Sequence, residues 1–270
     1  MQISFIGGGN MAGAIIGGLL GKGFAASALR VVEIAADARA KLAQQYGVAI
    51  HEHIDAAAVA ADCVVLAVKP QNMREVAVAL RPFVTQQLII SIAAGIRSTD
   101  LSRWLGGYAR LVRAMPNTPA LVGAGCTGIY AAPGVRQEDV ARAEAILGAI
   151  GITLRVGREA ELDAVTAVSG SGPAYVFYFM EALQQAALDR GLPPDMARRL
   201  ALETFVGAVK LAAGSAEDPA ILRARVTSRG GTTAAALASM DADGVNKSII
   251  RAVKAADERS RELGDELGKD

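Results

Sequence analysis

The first residues with a chemical reading are Gly7-Gly8-Gly9-Asn10-Met11-Ala12, which match G-x-G-x-x-A. Gly7 permits a tight turn, Gly9 lets a backbone approach a pyrophosphate, and the small Ala12 lets a helix pack closely on a strand. A pyrophosphate would then sit at a helix N-terminus, where free N–H groups and the helix dipole favour anions. The motif follows the short apolar run Ile3-Ser4-Phe5-Ile6 and opens a helical stretch from about Asn10 to Leu20. A dinucleotide-binding turn requires that context, and a ligand-free glycine turn does not. Glu33 ends the next strand candidate, roughly 20 residues further on. A carboxylate there accepts ribose hydroxyls and repels a 2′-phosphate, so Glu33 alone points to NADH. Arg39 lies close by and could serve a 2′-phosphate, which leaves the choice between NADH and NADPH open.

Val68-Lys69-Pro70 and Ala93-Ala94-Gly95 each follow a strand candidate. They fall at carboxyl ends of strands, the edge where open α/β sheets bind ligands. Lys69 reads equally well as a cofactor contact or a solvated loop lysine. The only histidines, His51 and His53, fall in the adenosine half and read as solvated surface residues. No histidine acid or base is therefore expected near a nicotinamide, and no metal-ligand cluster is visible. The second half carries Ser169-Gly170-Ser171-Gly172-Pro173-Ala174-Tyr175 and Thr227-Ser228-Arg229-Gly230-Gly231-Thr232-Thr233. Each combines glycines, hydroxyls and an expected helix start, which suits a small carboxylate held by backbone N–H groups. Ordinary N-capping by Ser and Thr is the competing explanation. A glycine pair followed by two threonines asks for more than capping.

These residues need a scaffold, and the hydrophobic pattern outlines one. Strand candidates at 3–6, 29–32, 63–68 and 88–92, with weaker ones at 111–114 and 128–130, alternate with helical stretches. That alternation predicts βαβ units and a mainly parallel, doubly wound sheet. Beyond Val156 no strand is evident. Helices are expected over 173–190, 194–213, 219–226, 232–240 and 245–267. The expected domains are 1–158, a dinucleotide-binding Rossmann-type sheet domain, and 159–270, an all-helical domain. The helix from Pro173 to Arg190 is apolar over most of its circumference, and its domain is too small to surround it. It is predicted to pack into a dimer interface.

Apolar residues make up 52 % of the 270, charged residues 20 %, and the net charge is +1, which argues for a sizeable core and against disorder. A near-neutral chain with no basic block is a poor partner for nucleic acid or anionic membrane. No signal peptide or membrane span is expected. Cys63 and Cys126 sit in apolar stretches, outside any C-x-x-C pair, and read as two buried thiols in a reducing cytoplasm.

Taken in order, Gly7 to Met11, Ala67 to Pro70, Ala93 to Gly95, Met115-Pro116-Asn117-Thr118-Pro119, Ser169 to Tyr175 and Gly230 to Thr233 resemble the pyrroline-5-carboxylate reductase family over most of the chain. The resemblance implies a Rossmann domain followed by a helical dimerisation domain that interlocks with its partner, with dimers assembling into decamers. It implies hydride transfer from NADH or NADPH to 1-pyrroline-5-carboxylate, giving L-proline. It places Gly7, Gly9, Asn10, Met11, Ala12, Glu33, Val68, Lys69, Pro70, Ala93, Ala94, Gly95 and Asn117 at the cofactor. By the same resemblance Thr233 hydrogen-bonds the ring nitrogen. Gly230, Gly231 and Thr232 hold the substrate carboxylate, and Ser171, Gly172 and Pro173 wall the pocket. Two departures stand out. Glu33-Ile34 replaces the polar–basic pair frequent in NADP-using members, and Arg229 replaces a frequent proline. A β-hydroxyacid dehydrogenase would need a lysine on the helix opening the second domain, and Gly172 to Arg190 has none. A non-catalytic dinucleotide sensor would keep the glycine turn but has no need of the hydroxyls at 230–233.

Overall fold

The structure, a computed structural model, describes residues 1–269. It divides into two compact units, 1–171 with 256–269, and Gly172–Ala255. The boundary expected at residue 158 thus precedes the break in packing, because 159–171 and the chain's end group with the sheet.

In the first unit, β1 (Ile3–Ile6), β2 (Leu29–Val32), β3 (Ala49–His51), β4 (Cys63–Leu66), β5 (Leu88–Ser91), β6 (Leu111–Met115), β7 (Gly125–Ala131) and β8 (Gly151–Arg155) form one sheet. Its order is β3-β2-β1-β4-β5-β6-β7-β8, with β6–β7 the antiparallel pair. The helices between strands are α1 (Asn10–Gly21), α2 (Ala36–Tyr46), α3 (Met73–Leu80), α4 (Ser98–Trp104) and α5 (Gln137–Leu147). Successive side chains of one strand enter opposite cores. Phe5 and Val65 join α1 and α5 on one face, while Ile6, Val64 and Leu66 join Met73, Leu80 and Trp104 on the other. A strand buried on both faces reads as a near-continuous apolar run, which is why β1, β4 and β5 are legible in the sequence.

Two strands were not anticipated. β3 has three residues and closes one edge. β8 closes the other, with Ile152 and Leu154 more than half exposed. Edge strands lack the doubly buried signature. The thiol expectation needs one correction: Cys63 is buried, but Cys126, on β7, is only half-buried.

After β8 the chain forms α6 (Glu161–Val165), a π-helical turn over Thr166–Gly170, and α7 (Gly172–Asp189). The second unit continues with α8 (Pro194–Ala213), α9 (Pro219–Arg225), α10 (Thr232–Ala242) and α11 (Val245–Leu267), matching the helices read from the sequence to within two residues at their ends. α7 packs on α8, yet no residue of α7 is buried. The end of α11 belongs to the first unit. There Ser260 Oγ donates to Asp163 at 2.8 Å, Arg97 meets Asp265 at 2.6 Å, and Leu267 joins the core beside Trp104.

Candidate functional site

Register builds the site. Ile6 pairs with Val32 on one side and Leu66 on the other, so Gly7, Glu33 and Ala67 leave their strands side by side. The order 3-2-1-4-5-6 reverses direction between β1 and β4, and ligands bind at such a switch point, outside the carboxyl ends of the strands. Gly7 N–H donates to Val32 O at 2.8 Å and Ala67 N–H donates to Ile6 O at 2.8 Å, which fixes the mouth of the crevice. Gly7 has φ +97°, and a Cβ on it would lie 2.8 Å from the Ala67 carbonyl oxygen, so no other residue fits the turn.

The crevice opens into a cavity of about 700 Å³ walled by Gly7, Gly8, Gly9, Glu33, Ile34, Val68 and Lys69, with Glu52, His53, Asn72 and Glu75 around its rim. That volume lies within the range of small-molecule sites. The space beside Gly9 is open, as the approach of a phosphate requires. Asn10, Met11 and the fully buried Ala12 form the first turn of α1 directly behind it. Pro70 starts the short turn after Lys69, and Ala93-Ala94-Gly95 follow β5, one strand beyond β4. Gly95, at φ +78°, lies against the backbone of Gly264 in α11.

Glu33 is held tightly. Its Oε2 accepts from Gly8 N–H at 2.9 Å and its Oε1 from Ala35 N–H at 2.9 Å. Arg39 donates to the carbonyls of Glu33 and Ile34 at 3.0 and 2.7 Å and pairs with Glu52 at 3.2 Å. Sequence reading missed Glu52, because it depends on β3: Glu33 N–H donates to His51 O at 3.0 Å, which draws Glu52 to the rim. His53 is exposed on the same rim.

Asn117 sits at the carboxyl end of β6, and both halves of its amide are engaged within the protein. Nδ2 donates to Ser169 O and Oγ at 3.1 and 3.2 Å, and Oδ1 accepts from Cys126 N–H at 2.9 Å. This latch holds the π-turn against the sheet. The π-turn corrects one expectation: Ser169 to Pro173 is not a free helix start. The chain is already helical from Glu161, and Ser171 N–H donates to Thr166 O at 2.8 Å. The π-turn sits within this helical run just ahead of Pro173, and such turns are frequent at functional sites.

In the second unit the Gly230–Thr233 segment does begin a helix. Gly231 caps α10 with no side-chain cap bond, so neither threonine serves as N-cap and capping does not account for them. Gly230 has φ +70°, and Gly231 N–H donates to Ser228 O at 3.0 Å, which closes a tight turn ahead of the two threonines.

A second polar cluster supports the crossing from sheet to helices. Glu159 accepts from Ser98 N–H at 2.6 Å, Ser98 Oγ at 2.7 Å and Arg113 at 2.8 Å. Burial works to raise its carboxyl, but the Ser98 N–H, Arg113 and the Ser98 hydroxyl outweigh it and hold it below the ordinary value. At the far side of the sheet the buried Asp139 takes Arg110 at 2.8 Å, with Arg136 and Arg142 within 3.4 Å. Burial pushes the Cys63 thiol up to about 12, so it is inert as a nucleophile.

Among the described residues no helix is long and apolar enough to cross a membrane. Residues 159–263 match a family model described as pyrroline-5-carboxylate reductase dimerisation, and residues 2–95 match one described as NADP oxidoreductase, coenzyme F420-dependent. The chain is 46 % identical over 269 residues to a pyrroline-5-carboxylate reductase of Pseudomonas aeruginosa, covering 99 % of this chain and 98 % of that one. A solved pyrroline-5-carboxylate reductase from Coxiella burnetii superposes with a TM-score of 0.91 at 38 % identity, covering 97 % and 98 % of the two chains. A Plasmodium falciparum pyrroline carboxylate reductase solved with NADP bound superposes at 0.87 and 28 % identity, covering 98 % of each. With relatives of this identity matching from end to end, and both the glycine crevice and the helical half accounted for, the chain belongs to the pyrroline-5-carboxylate reductase family.

Proposed function

We propose that this chain reduces 1-pyrroline-5-carboxylate to L-proline, the last step of proline biosynthesis, using NADH or NADPH. The observation that carries the reading is end-to-end similarity to reductases of that name, joined to a dinucleotide crevice at the β1–β4 switch point. The bound cofactor supplies a hydride for the imine carbon. The chain's own task is then to hold a small anionic ring in place. A protonated cyclic imine is already electrophilic, so proximity and orientation outweigh any strong acid. This agrees with a chain that has only two histidines.

Gly7, Gly9, Asn10, Met11 and Ala12 seat the pyrophosphate on α1. Glu33 takes the adenosine ribose, while Val68, Lys69, Pro70, Ala93, Ala94 and Gly95 border the nicotinamide side. Asn117 belongs to that set as the latch on the π-turn. Ser171, Gly172 and Pro173 wall the substrate pocket, and the backbone of Gly230, Gly231 and Thr232 receives the carboxylate. The Thr233 hydroxyl hydrogen-bonds the ring nitrogen. Residues 1–158 serve the cofactor and 159–270 serve substrate and dimerisation.

A homodimer through α7 is supported by its surface, where Phe177 is 64 % and Tyr178 73 % exposed. Decamers, and a cytoplasmic setting, complete the proposal by family likeness.

The test is a spectrophotometric assay of nicotinamide oxidation on adding the pyrroline carboxylate. No consumption with either NADH or NADPH sinks the reading. Thr233→Ala should lower kcat while leaving cofactor affinity nearly intact, since its hydroxyl acts at the reacting centre. Unchanged turnover removes Thr233 from the mechanism.

A further inference from the structure

We infer that Glu33, with Glu52 beside it, makes this crevice favour NADH over NADPH. The inference rests on the dinucleotide reading of the crevice above and goes further by naming the preferred nucleotide. A 2′-phosphate would arrive where β2 meets α2. An anion arriving there needs free N–H donors or a free guanidinium. Two of the N–H groups at that point and the nearby guanidinium are already engaged within the protein. The Gly8 and Ala35 N–H groups both donate to the Glu33 carboxylate at 2.9 Å. A carboxylate of this chain thus already takes these two donors, in the place a 2′-phosphate would occupy.

Arg39, the nearby cation, faces away from that role. Its guanidinium holds the Glu33 and Ile34 carbonyls and the Glu52 carboxylate. Recruiting it would break those contacts and leave Glu52 unpaired at the rim. The side chain of Ile34, 80 % exposed beside the cavity, supplies no donor. Glu33, Glu52 and Glu75 line the cavity against one lysine, Lys69. Repulsion of a doubly negative phosphate follows from that imbalance. A ribose with both hydroxyls free suffers no such repulsion and can donate to Glu33.

The test is direct binding, independent of turnover. Dissociation constants for NADH and NADPH are measured by titration calorimetry on the full chain, with ADP and adenosine 2′,5′-bisphosphate as simpler probes. NADH should bind about tenfold tighter or better at low salt. Raising the salt should narrow the ratio, because exposed repulsion is screened over roughly 10 Å at 0.1 M. Glu33→Ser should weaken NADH and tighten NADPH, moving the ratio at least about tenfold. Arg39→Ala should leave NADPH no weaker relative to NADH.

NADPH binding as tightly as NADH overturns the preference alone. So does NADPH affinity that falls with salt and collapses in Arg39→Ala, since the arginine would then be holding the phosphate. If neither nucleotide nor ADP binds, the crevice reading falls and the preference with it.

Discussion

The two compact units bury their side chains very differently. Nearly all of the buried apolar residues belong to the sheet unit, and within 172–255 only Ala197 and Ala201 are buried, both alanines. The sheet unit satisfies its apolar surface internally through two cores, one on each face. The helical unit has apolar residues in comparable density but leaves Phe177, Tyr178, Leu200, Val209 and Ile250 at least half exposed. A sheet clad on both sides needs nothing more, whereas helices apolar around most of their circumference need a further surface to cover them. One half of the molecule therefore folds around its own strands. The other leaves its apolar surface uncovered, and it falls within the residues that match the dimerisation family model.

Mutations on the two sides should diverge. The largest effect is expected from Phe179→Asp on α7. A charge in a desolvated interface is strongly unfavourable, so the proposed dimer should dissociate into an aggregation-prone species in light-scattering chromatography. A stable, soluble monomer would instead show that the helical unit does not need a partner. Phe5→Ala, at the centre of the sheet, should cost about 3–5 kcal/mol in denaturant melts while leaving the subunit contact unchanged.

Glu159→Ala removes the partner of the buried Arg113 and should cost about 3 kcal/mol. This contribution also depends on pH. The folded carboxyl is held below its ordinary 4.5, so the stabilisation is complete above that value and is lost as pH falls below it. The variant's melting temperature should accordingly converge on that of the parent in acid. A constant gap between them would assign Glu159 a purely steric part. The smallest change is Gly95→Ala. At φ +78° an alanine is strained by about 1–2 kcal/mol, and the end of α11 at Gly264 should loosen, seen as faster amide exchange there.

Much of this was legible in the chain. The glycine turn, its strand and its helix are neighbours in sequence, so their relation is local. The helices of the second half carry their start and stop signals with them, such as Pro194 at the start of α8 and Gly214 after it. The apolar circumference of α7 is legible too, because it is a property of one helix.

What escaped the sequence depends on pairing across distance. Ala49 to His51 become a strand only because β2 offers an edge, and Glu52 reaches the cavity rim only through that pairing. The Asn117 amide finds Ser169 across 52 positions, and no local rule announces that latch. Glu33 could be read as a ribose acceptor from its place at the end of β2. That it grips Gly8, and that Arg39 turns to carbonyls and Glu52, follows from three loops converging at one sheet edge. Periodicity and turn chemistry are written residue by residue. The partner of a polar side chain is chosen only once the backbone has closed around it.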